Sequence, residues 1–398
     1  MDIIIEKVAE EVKNSFTLIY KDEPDYVFSC GGRFEILGNH TDHNHGLCLA
    51  SACDLQIVCS VKKADSKIVN FQSLKFDPDE LDLSDLEPRP VEYASSKGLI
   101  RGVAAYLKEH GYKIGGFNAF SVSSIFKGAG VSSSAAFELL VGHIFNVLFN
   151  NGKISKIELC KAGKYAENVF FGKKSGLLDQ IGVGYGGVVE IDFKDIDNPQ
   201  IDQIKFPFDD LHFVLINTGG DHSSLSDLYS SIPSDMLEAA RICGHQYLVE
   251  GSLKEIEEHK KELQPLEYTR AVHFYTENER VRNAFAAIKN NDQETFLAMI
   301  NQSRESSTNN LHNMMVEKQY EGSPLEACDL LLKATNNHGA VKINGGGFAG
   351  SVIAFIPSEY LDKVIEKMSK KYGPQNVKEI FIREDGPNTI YNKEGKEK

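Results

Sequence analysis

The chain has 398 residues, of which 41% are hydrophobic, and a formal net charge of −14. This length exceeds one ordinary hydrophobic core, so two globular domains are expected. The negative charge argues against broad contact with nucleic acids or anionic membranes, because those surfaces attract clustered lysine and arginine.

Two further properties point to the cytoplasm. The seven cysteines include no C-x-x-C pair, which indicates reduced thiols rather than a disulfide framework. The first residues lack the basic and apolar regions of a signal peptide, and no segment reaches the ~20 apolar residues of a membrane helix. A cytoplasmic location is therefore predicted.

Apolar spacing predicts mixed helices and strands without an internal repeat. In the first half, the predicted helices span 2–20, 97–110, 137–148, 153–171 and 175–182, and the predicted strands span 25–36, 47–63 and 117–125. The acidic segment 77–90 is predicted to be a surface excursion.

The second half is predicted to open with a strand at 205–217 and to be rich in long helices. Those helices span 236–249, 266–289, 292–312 and 324–336, followed by a strand-loop-strand at 340–357, a helix at 360–372 and a strand at 377–382. Residues 195–199 break regular structure, which places the domain boundary near residue 200 and gives domains of 1–200 and 201–398.

Polar side chains are concentrated in residues 31–46, between two predicted strands. Short polar groups on a rigid turn suit recognition of several hydroxyls, because each buried sugar hydroxyl needs donors and acceptors. A metal site is the alternative, with His40, Asp42, His43 and His45 as the possible ligands. Neighbouring side chains of an extended chain point to opposite faces, and no second cluster of comparable density completes the ligand shell, which disfavours the metal.

Residues 127–136 join a predicted strand to a predicted helix through small residues. The unpaired N–H groups and the dipole of a helix N-terminus attract anions, and glycines let a phosphate approach the backbone. The spacing is not that of a Walker P-loop, and the two G-x-G-x-x-G matches elsewhere run into strands rather than helices. The alternative interpretation is an ordinary helix cap with a flexible lead-in.

A run of glycines in residues 341–351 lies at a strand-to-strand connection. Glycines there permit positive φ and close approach of the backbone to a ligand or to the neighbouring domain. By itself this pattern also fits a tight hairpin.

Taken in order, these three segments resemble the galactokinase branch of the GHMP small-molecule kinases. The family motifs read approximately G-R-x-N-L-I-G-E-H-T-D-Y-N, P-x-G-A-G-L-S-S-S-A and T-G-G-G-F-G-G, and they match residues 32–44, 128–135 and 344–350. The resemblance covers nearly the whole chain. It implies an α+β, two-domain GHMP kinase fold, with an N-terminal domain like the second domain of ribosomal protein S5, a ferredoxin-like C-terminal domain and an active site between them.

The resemblance implies an ATP-dependent kinase that phosphorylates the anomeric (C1) hydroxyl of galactose. It assigns catalysis to Asp179, as the base, and Arg33, as the fixed cation. The implied sugar-binding residues are Asn39, His40, Thr41, Asp42, Gly176 and Tyr229. The implied ATP-binding residues are Ser73, Gly128, Ala129, Gly130, Val131, Ser132, Ser133 and Ser134, and Mg²⁺ would be held by Ser134 and Glu167. Because an adjacent arginine lowers the pKa of an aspartate, orientation of the hydroxyl is expected to matter more than proton abstraction.

The sequence departs from the family motif at Asn39, where the family has glutamate, and at Lys127, where it usually has proline. The lost negative charge at position 39 leaves galacturonate or arabinose as alternative substrates. A non-catalytic sugar sensor is another alternative, but residues 132–135, Arg33, Glu167 and Asp179 are intact, which favours an enzyme. A metal hydrolase built on the histidine-rich turn is the remaining alternative function. We expect a monomer that acts on a small sugar.

Overall fold

In the computed structural model, which describes residues 2–219 and 225–395, eleven α-helices surround two β-sheets. The strands are β1 (Tyr26–Leu37), β2 (Leu47–Lys63), β3 (Ile68–Ser73), β4 (Asp79–Asp82), β5 (Phe117–Ser123), β6 (Val188–Asp192), β7 (Gln200–Ile204), β8 (Leu211–Asn217), β9 (Ala340–Asn344), β10 (Ser351–Pro357), β11 (Val377–Ile380) and β12 (Asn388–Asn392). The helices are α1 (Asp2–Tyr20), α2 (Ser96–Glu109), α3 (Ser133–Asn150), α4 (Lys156–Tyr165), α5 (Leu178–Tyr185), α6 (Ser226–Ile242), α7 (Leu253–Glu258), α8 (Pro265–Lys289), α9 (Gln293–Ser306), α10 (Pro324–Ala334) and α11 (Leu361–Tyr372).

The first sheet has eight strands. Six follow the order β12-β1-β2-β5-β3-β4, while β6 pairs with β2 and β7 pairs with β6. Strands β3 and β5 are parallel, and the other pairs are antiparallel. Apolar residues of helices α2 to α5 form one core with this sheet, and helix α1 packs on the opposite face.

The second sheet is antiparallel with the order β11-β8-β10-β9. Helices α10 and α11 pack on one face of it. Counting α10 as the first crossover helix, the chain order β8-α10-β9-β10-α11-β11 is the β-α-β-β-α-β arrangement of ferredoxin-like folds. On the other face, side chains such as Phe213 and Ile353 share a core with Phe34 and Leu49 of the first sheet and with Phe285 of α8. This shared core holds the two sheets together beside the site.

Two strands from the second half of the chain belong to the first sheet. Strand β7 pairs with β6, and β12 pairs with β1, although a boundary at residue 200 assigns both to the C-terminal domain. Residues 195–199 therefore lie within a β6–β7 hairpin. We propose that the boundary follows β7 and that the chain returns to the N-terminal domain at β12.

Most predicted elements are present, and the differences lie mainly at their ends. Helix α6 begins ten residues before the predicted start at 236, with Pro233 inside it. Its buried residues Ile232 and Met236 pack into a helical core, which outweighs the proline's unfavourable propensity. The predicted helices 153–171 and 292–312 end in π-helical turns. The predicted strand 205–217 begins only at Leu211.

All seven cysteines are free, and six of them are buried. Among the helices of residues 2–219 and 225–395, none combines the length and the apolar character needed to cross a membrane.

Candidate active site

Strand β1 places Arg33 directly against the glycine-rich loop, which we define as residues 127–132. The backbone N–H of Arg33 donates to the carbonyl of Val131 at 3.0 Å, and Nη1 of its guanidinium donates to the carbonyl of Gly130 at 2.8 Å. Gly32 permits this approach, because a Cβ at that position would collide with the Val131 carbonyl. Two motifs that are distant in the sequence thus form one surface.

The glycine-rich loop leads into the N-terminus of α3. Gly128, Gly130 and Ser132 have positive φ angles of 82°, 70° and 55°. Between them, the side chains of Ala129 and Val131 are buried and fix the loop. Ser132 occupies the N-cap position, but its hydroxyl does not cap the helix. The first N–H groups of α3 are therefore left without this cap and can bind an anion.

Arg33 and Asp179 are in direct contact. Oδ1 of Asp179 accepts from Nε of Arg33 at 2.8 Å and lies 2.7 Å from Nη2. The other carboxylate oxygen, Oδ2, accepts from the hydroxyl of Ser132 at 2.6 Å. Burial alone would raise the pKa of Asp179, but the charges of Arg33 and Lys173 and these hydrogen bonds outweigh it and hold the pKa below its ordinary value. Asp179 is therefore an ionised carboxylate that joins β1, the glycine-rich loop and α5.

A second buried carboxylate, that of Glu167 in the π-helical turn after α4, lies against the start of α3. The hydroxyl of Ser134 donates to Oε1 of Glu167 at 2.8 Å, and Nζ of Lys173 lies 2.8 Å from the same oxygen. The carboxylate of Glu167 is fully buried, so it is not a solvated helix residue. Its other oxygen accepts from Gln180 at 3.1 Å. These contacts fix a hydroxyl and a carboxylate side by side at the start of the helix.

Behind Glu167, Gln180 also donates to Oε2 of Glu138 at 2.9 Å. Burial, together with the nearby charge of Glu167, raises the pKa of Glu138 well above its ordinary value. Burial therefore favours the protonated form of Glu138.

A cavity opens beside the Arg33–Asp179 pair. The residues that line it include Arg33, Glu35, Asn39, His40, Asp42, His43, Lys173, Lys174, Ser175, Gly176, Leu178, Asp179, Tyr229, Gly345 and Gly346. Two of the three sequence motifs, residues 31–46 and 341–351, contribute to its walls, and the third is linked to it by the contact of Ser132 with Asp179. Five of the six residues expected to bind sugar are among its walls.

The cavity depends on close backbone contacts and a neutral histidine. A Cβ at Gly176 would collide with the carboxylate of Asp42, and one at Gly346 would collide with the ring of Tyr229. Burial lowers the pKa of His40 to about 3, so its imidazole is neutral and donates from Nε2 to the Gly346 carbonyl at 2.8 Å. The rings of His40 and Tyr229 are 5.1 Å apart. Residues 222–224, which precede Tyr229 in its motif, lie outside the described residues.

Thr41 and Ser73 do not line the cavity. Thr41 is fully buried, and its hydroxyl contacts the carbonyls of Gly38 at 2.9 Å and Leu47 at 2.7 Å, so it holds the turn rather than facing a ligand. The hydroxyl of Ser73 is 2.9 Å from that of Ser121. Because β3 and β5 are parallel, Ser73 lies on the sheet edge from which the glycine-rich loop departs.

The histidine-rich turn does not converge on one point. His40 contacts Gly346, whereas His45 stacks on Tyr247 with ring centroids 3.9 Å apart. Within the described part of the chain, no three His, Cys, Asp or Glu side chains form a group that could hold a metal ion. This geometry does not support the metal-site interpretation.

Three residues of the site were not identified from the sequence: Lys173, Glu35 and Lys342. Lys173 precedes Asp179 by six residues in a loop, and this proximity is the one local signal for it. Glu35 lies two residues after Arg33 on β1, so both side chains share a face of the strand. Lys342 is fully buried and forms an ion pair with Glu35 at 2.8 Å. The two partners are 307 residues apart, and no local pattern links them.

Known protein families and a known relative match this chain over the segments that form the site. Family models match the galactokinase galactose-binding signature at residues 14–63, the GHMP kinase N-terminal domain at 98–187 and the GHMP kinase C-terminal domain at 284–374. A galactokinase from Limosilactobacillus reuteri (strain DSM 20016) is 28% identical over 383 residues, which cover 89% of this chain and 91% of the relative.

Solved structures share the fold. The crystal structure of Lactococcus lactis galactokinase complexed with galactose matches with a TM-score of 0.81 at 23% identity, over 95% of this chain and 98% of that one. The Methanococcus jannaschii mevalonate kinase structure matches with a TM-score of 0.63 at 16% identity, over 90% and 98% of the two chains. These matches confirm the predicted α+β, two-domain fold class. The family models and the galactokinase relative show that the chain belongs to the GHMP kinase family and, within it, to the galactokinase branch.

Proposed function

We propose that this protein is a sugar kinase that transfers the γ-phosphoryl group of ATP to the C1 hydroxyl of galactose. One observation carries the proposal: Asp179 contacts both Arg33, which lines the sugar cavity, and Ser132, at the start of α3. A hydroxyl bound in the cavity would thus lie between an ionised carboxylate and a helix N-terminus. Phosphoryl transfer requires this proximity of acceptor and phosphate.

The nucleotide phosphates are proposed to bind residues 128–134. The positive φ angles of Gly128 and Gly130 shape a loop without side chains in the way, and the N-terminal amides of α3 supply donors. We propose that Ser73 contributes from the same sheet edge. ATP is the phosphate donor that GHMP kinases use.

Ser134 and Glu167 fit a magnesium site. Mg²⁺ prefers oxygen ligands and is usually bound through one or two carboxylates together with substrate phosphates. The Glu167 carboxylate lies 2.8 Å from the Ser134 hydroxyl, at the helix end proposed to hold phosphate. A bound Mg²⁺ would neutralise charge on the phosphates. Lys173 already contacts the same carboxylate oxygen, so it adds a fixed cation at this place.

Asp179 is proposed to orient the sugar hydroxyl and to accept its proton as the transfer proceeds. Its lowered pKa makes it a weak base, so positioning is the larger contribution. Arg33 keeps its positive charge at any working pH and lies where negative charge spreads over the transferred group. We propose that Asn39, His40, Asp42, Gly176 and Tyr229 bind the sugar, while Thr41 supports the turn that carries them.

A panel of free sugars with ATP and Mg²⁺, scored for ADP release, tests the proposal. Galactose is expected to give the highest kcat/KM, with galacturonate and arabinose as the competing substrates. ATP-dependent turnover would exclude a sugar sensor and a metal hydrolase. Sugar binding without ADP release for every member of the panel would contradict the proposal.

The proposal also covers the cellular location and the oligomeric state of the protein. The free thiols support a reducing compartment, the cytoplasm. We also propose that the protein acts as a monomer. Light scattering coupled to gel filtration at assay concentrations tests the monomer.

A further inference from the structure

The wall of the sugar cavity contains a carboxylate that none of the proposed roles uses. Glu35 lines the cavity from β1, two residues after Arg33 on the same face of the strand. Its residue is only 3% exposed, so the carboxylate is held within the protein and not in bulk water. An acidic group in such a position is costly unless its oxygens have partners.

Most hydrogen bonds to the Glu35 carboxylate are made to one of its two oxygens. Oε1 of Glu35 accepts from Nζ of Lys342 at 2.8 Å and from Nδ2 of Asn39 at 3.1 Å. Among residues 2–219 and 225–395, Oε2 has only the long 3.4 Å contact with the same Asn39 amide. A carboxylate has about four acceptor positions on its two oxygens. Oε2 therefore keeps acceptor capacity in a residue that lines the cavity.

The cation lies behind this carboxylate. The ammonium of Lys342 also donates to the carbonyls of Ile343 at 2.7 Å and Glu35 at 3.4 Å, which accounts for its three donors. Lys342 is fully buried and is not among the residues that line the cavity. It therefore holds Glu35 in place without presenting its charge to a ligand.

Both amide donors of Asn39 are used within the protein, so its contact with a sugar can be made only through Oδ1. Its Nδ2 donates to Glu35 and, at 2.8 Å, to the carbonyl of Gly345, while its Oδ1 accepts from Asn313 at 2.8 Å. The family motif has asparagine at the position of Glu35 and glutamate at the position of Asn39. This chain has the two residue types exchanged, and the side chains are in contact. The negative charge missing at position 39 is thus present in the same wall, four residues earlier.

We propose that Glu35 accepts a hydrogen bond from one non-reacting hydroxyl of the sugar, and that Asn39 and Lys342 position its carboxylate for this contact. The inference rests on the proposed sugar kinase function and adds a specificity-determining residue to it. A carboxylate is an acceptor only, so it selects a hydroxyl and disfavours a substituent that lacks a donor.

The experiment combines substrate and protein changes. Galactose and its 2-, 3-, 4- and 6-deoxy derivatives are compared as substrates for the wild type, for Lys342→Met and for the double variant Glu35→Met/Lys342→Met. The two variants both lack the lysine and differ only in the carboxylate. Replacing a buried ion pair with apolar residues of similar volume is often tolerated, so the double variant is expected to fold.

With the wild type, one deoxy sugar is expected to have a kcat/KM at least about tenfold below that of galactose, because it lacks the hydroxyl bound to a charged acceptor. With Lys342→Met this loss should be smaller, because Glu35 no longer has the ammonium that positions its carboxylate. With the double variant, this difference should shrink below about threefold. The loss of kcat/KM with each of the other three deoxy sugars, which we call its deoxy penalty, should persist. Each penalty is a ratio within one protein, so a general loss of activity cancels. A merely structural ion pair would not produce this sugar-specific change.

The proposal is overturned if the four deoxy penalties are the same with and without the carboxylate. If the double variant lacks a cooperative thermal transition, Glu35→Gln takes its place, and the loss with the one deoxy sugar should then shrink without vanishing, because a neutral amide binds a hydroxyl more weakly than a carboxylate does. Failure of the proposed function gives a different result, because the wild type would then release no ADP with galactose itself.

Discussion

The substitution Asp179→Asn separates the charge of this carboxylate from its shape. The asparagine oxygen can still accept from Arg33, and its amide can donate to the Ser132 hydroxyl, so both contacts of Asp179 have replacements. The change therefore removes a negative charge and a proton acceptor with almost no change in volume. We expect kcat to fall while the nucleotide still binds.

The contacts of Asp179 determine how large the losses in kcat and in stability should be. A positioned general base contributes about 10²–10⁴ in rate, and the lowered pKa of Asp179 favours the lower end, so kcat should fall at least about 100-fold. This factor corresponds to about 2.7 kcal/mol of activation free energy. Breaking a buried ion pair costs about 3–5 kcal/mol of stability, and the hydrogen bond that asparagine keeps offsets about 1 kcal/mol. The free energy of unfolding should therefore drop by about 2–4 kcal/mol.

Steady-state ADP release with galactose measures kcat, and urea unfolding measures stability. The chain has no tryptophan, so a fluorescent ATP analogue is used to follow nucleotide affinity, which should change less than about threefold. Asp195→Asn, on the exposed β6–β7 connection, is the matched control and should behave as wild type. Wild-type turnover by Asp179→Asn, or a rate loss explained entirely by weaker ATP binding, would refute the assigned role.

Three other expectations follow from the same geometry. Glu167→Gln should raise the Mg²⁺ concentration for half-maximal activity at least about tenfold, and an unchanged Mg²⁺ titration would exclude this residue as a ligand. Gly130→Ala should raise the KM for ATP at least about tenfold, because its Cβ would collide with the second sheet, whereas Gly111→Ala has a similar positive φ in open space and should leave KM unchanged. Burial lowers the pKa of His40 to about 3 and of His143 and His273 to about 4, so between those values and 6.5 only the unfolded chain binds these protons. From pH 7 to pH 5.5 the three histidines should lower the unfolding free energy measured in urea by about 3.7 kcal/mol, an amount that the raised pKa of Glu138 reduces. A stability that rises on acidification would contradict this.

The tertiary structure decided features whose partners are remote in the chain. Strand β12 completes the first sheet by pairing with β1, and its five residues alone have no reason to join either domain. The extension of α6 through Pro233 depends on packing against other helices. The role of Thr41 could not be separated from that of its neighbours by sequence, because only the fold shows that its hydroxyl is used within the turn.

The sequence by itself determined the parts of the protein that rest on local patterns. Apolar spacing predicted α3 and the strands before the site, and the small residues 127–136 predicted a helix N-terminus suited to phosphate. The three motifs predicted the family, and the family resemblance predicted that Arg33 and Asp179 lie in one site. The ion pair between Glu35 and Lys342, and the contact of Lys173 with Glu167, emerged only when the two sheets and their loops were assembled. The physical reason is that helix and turn preferences act over a few residues, whereas a buried charge is stabilised by whichever partner the folded chain brings within hydrogen-bonding distance.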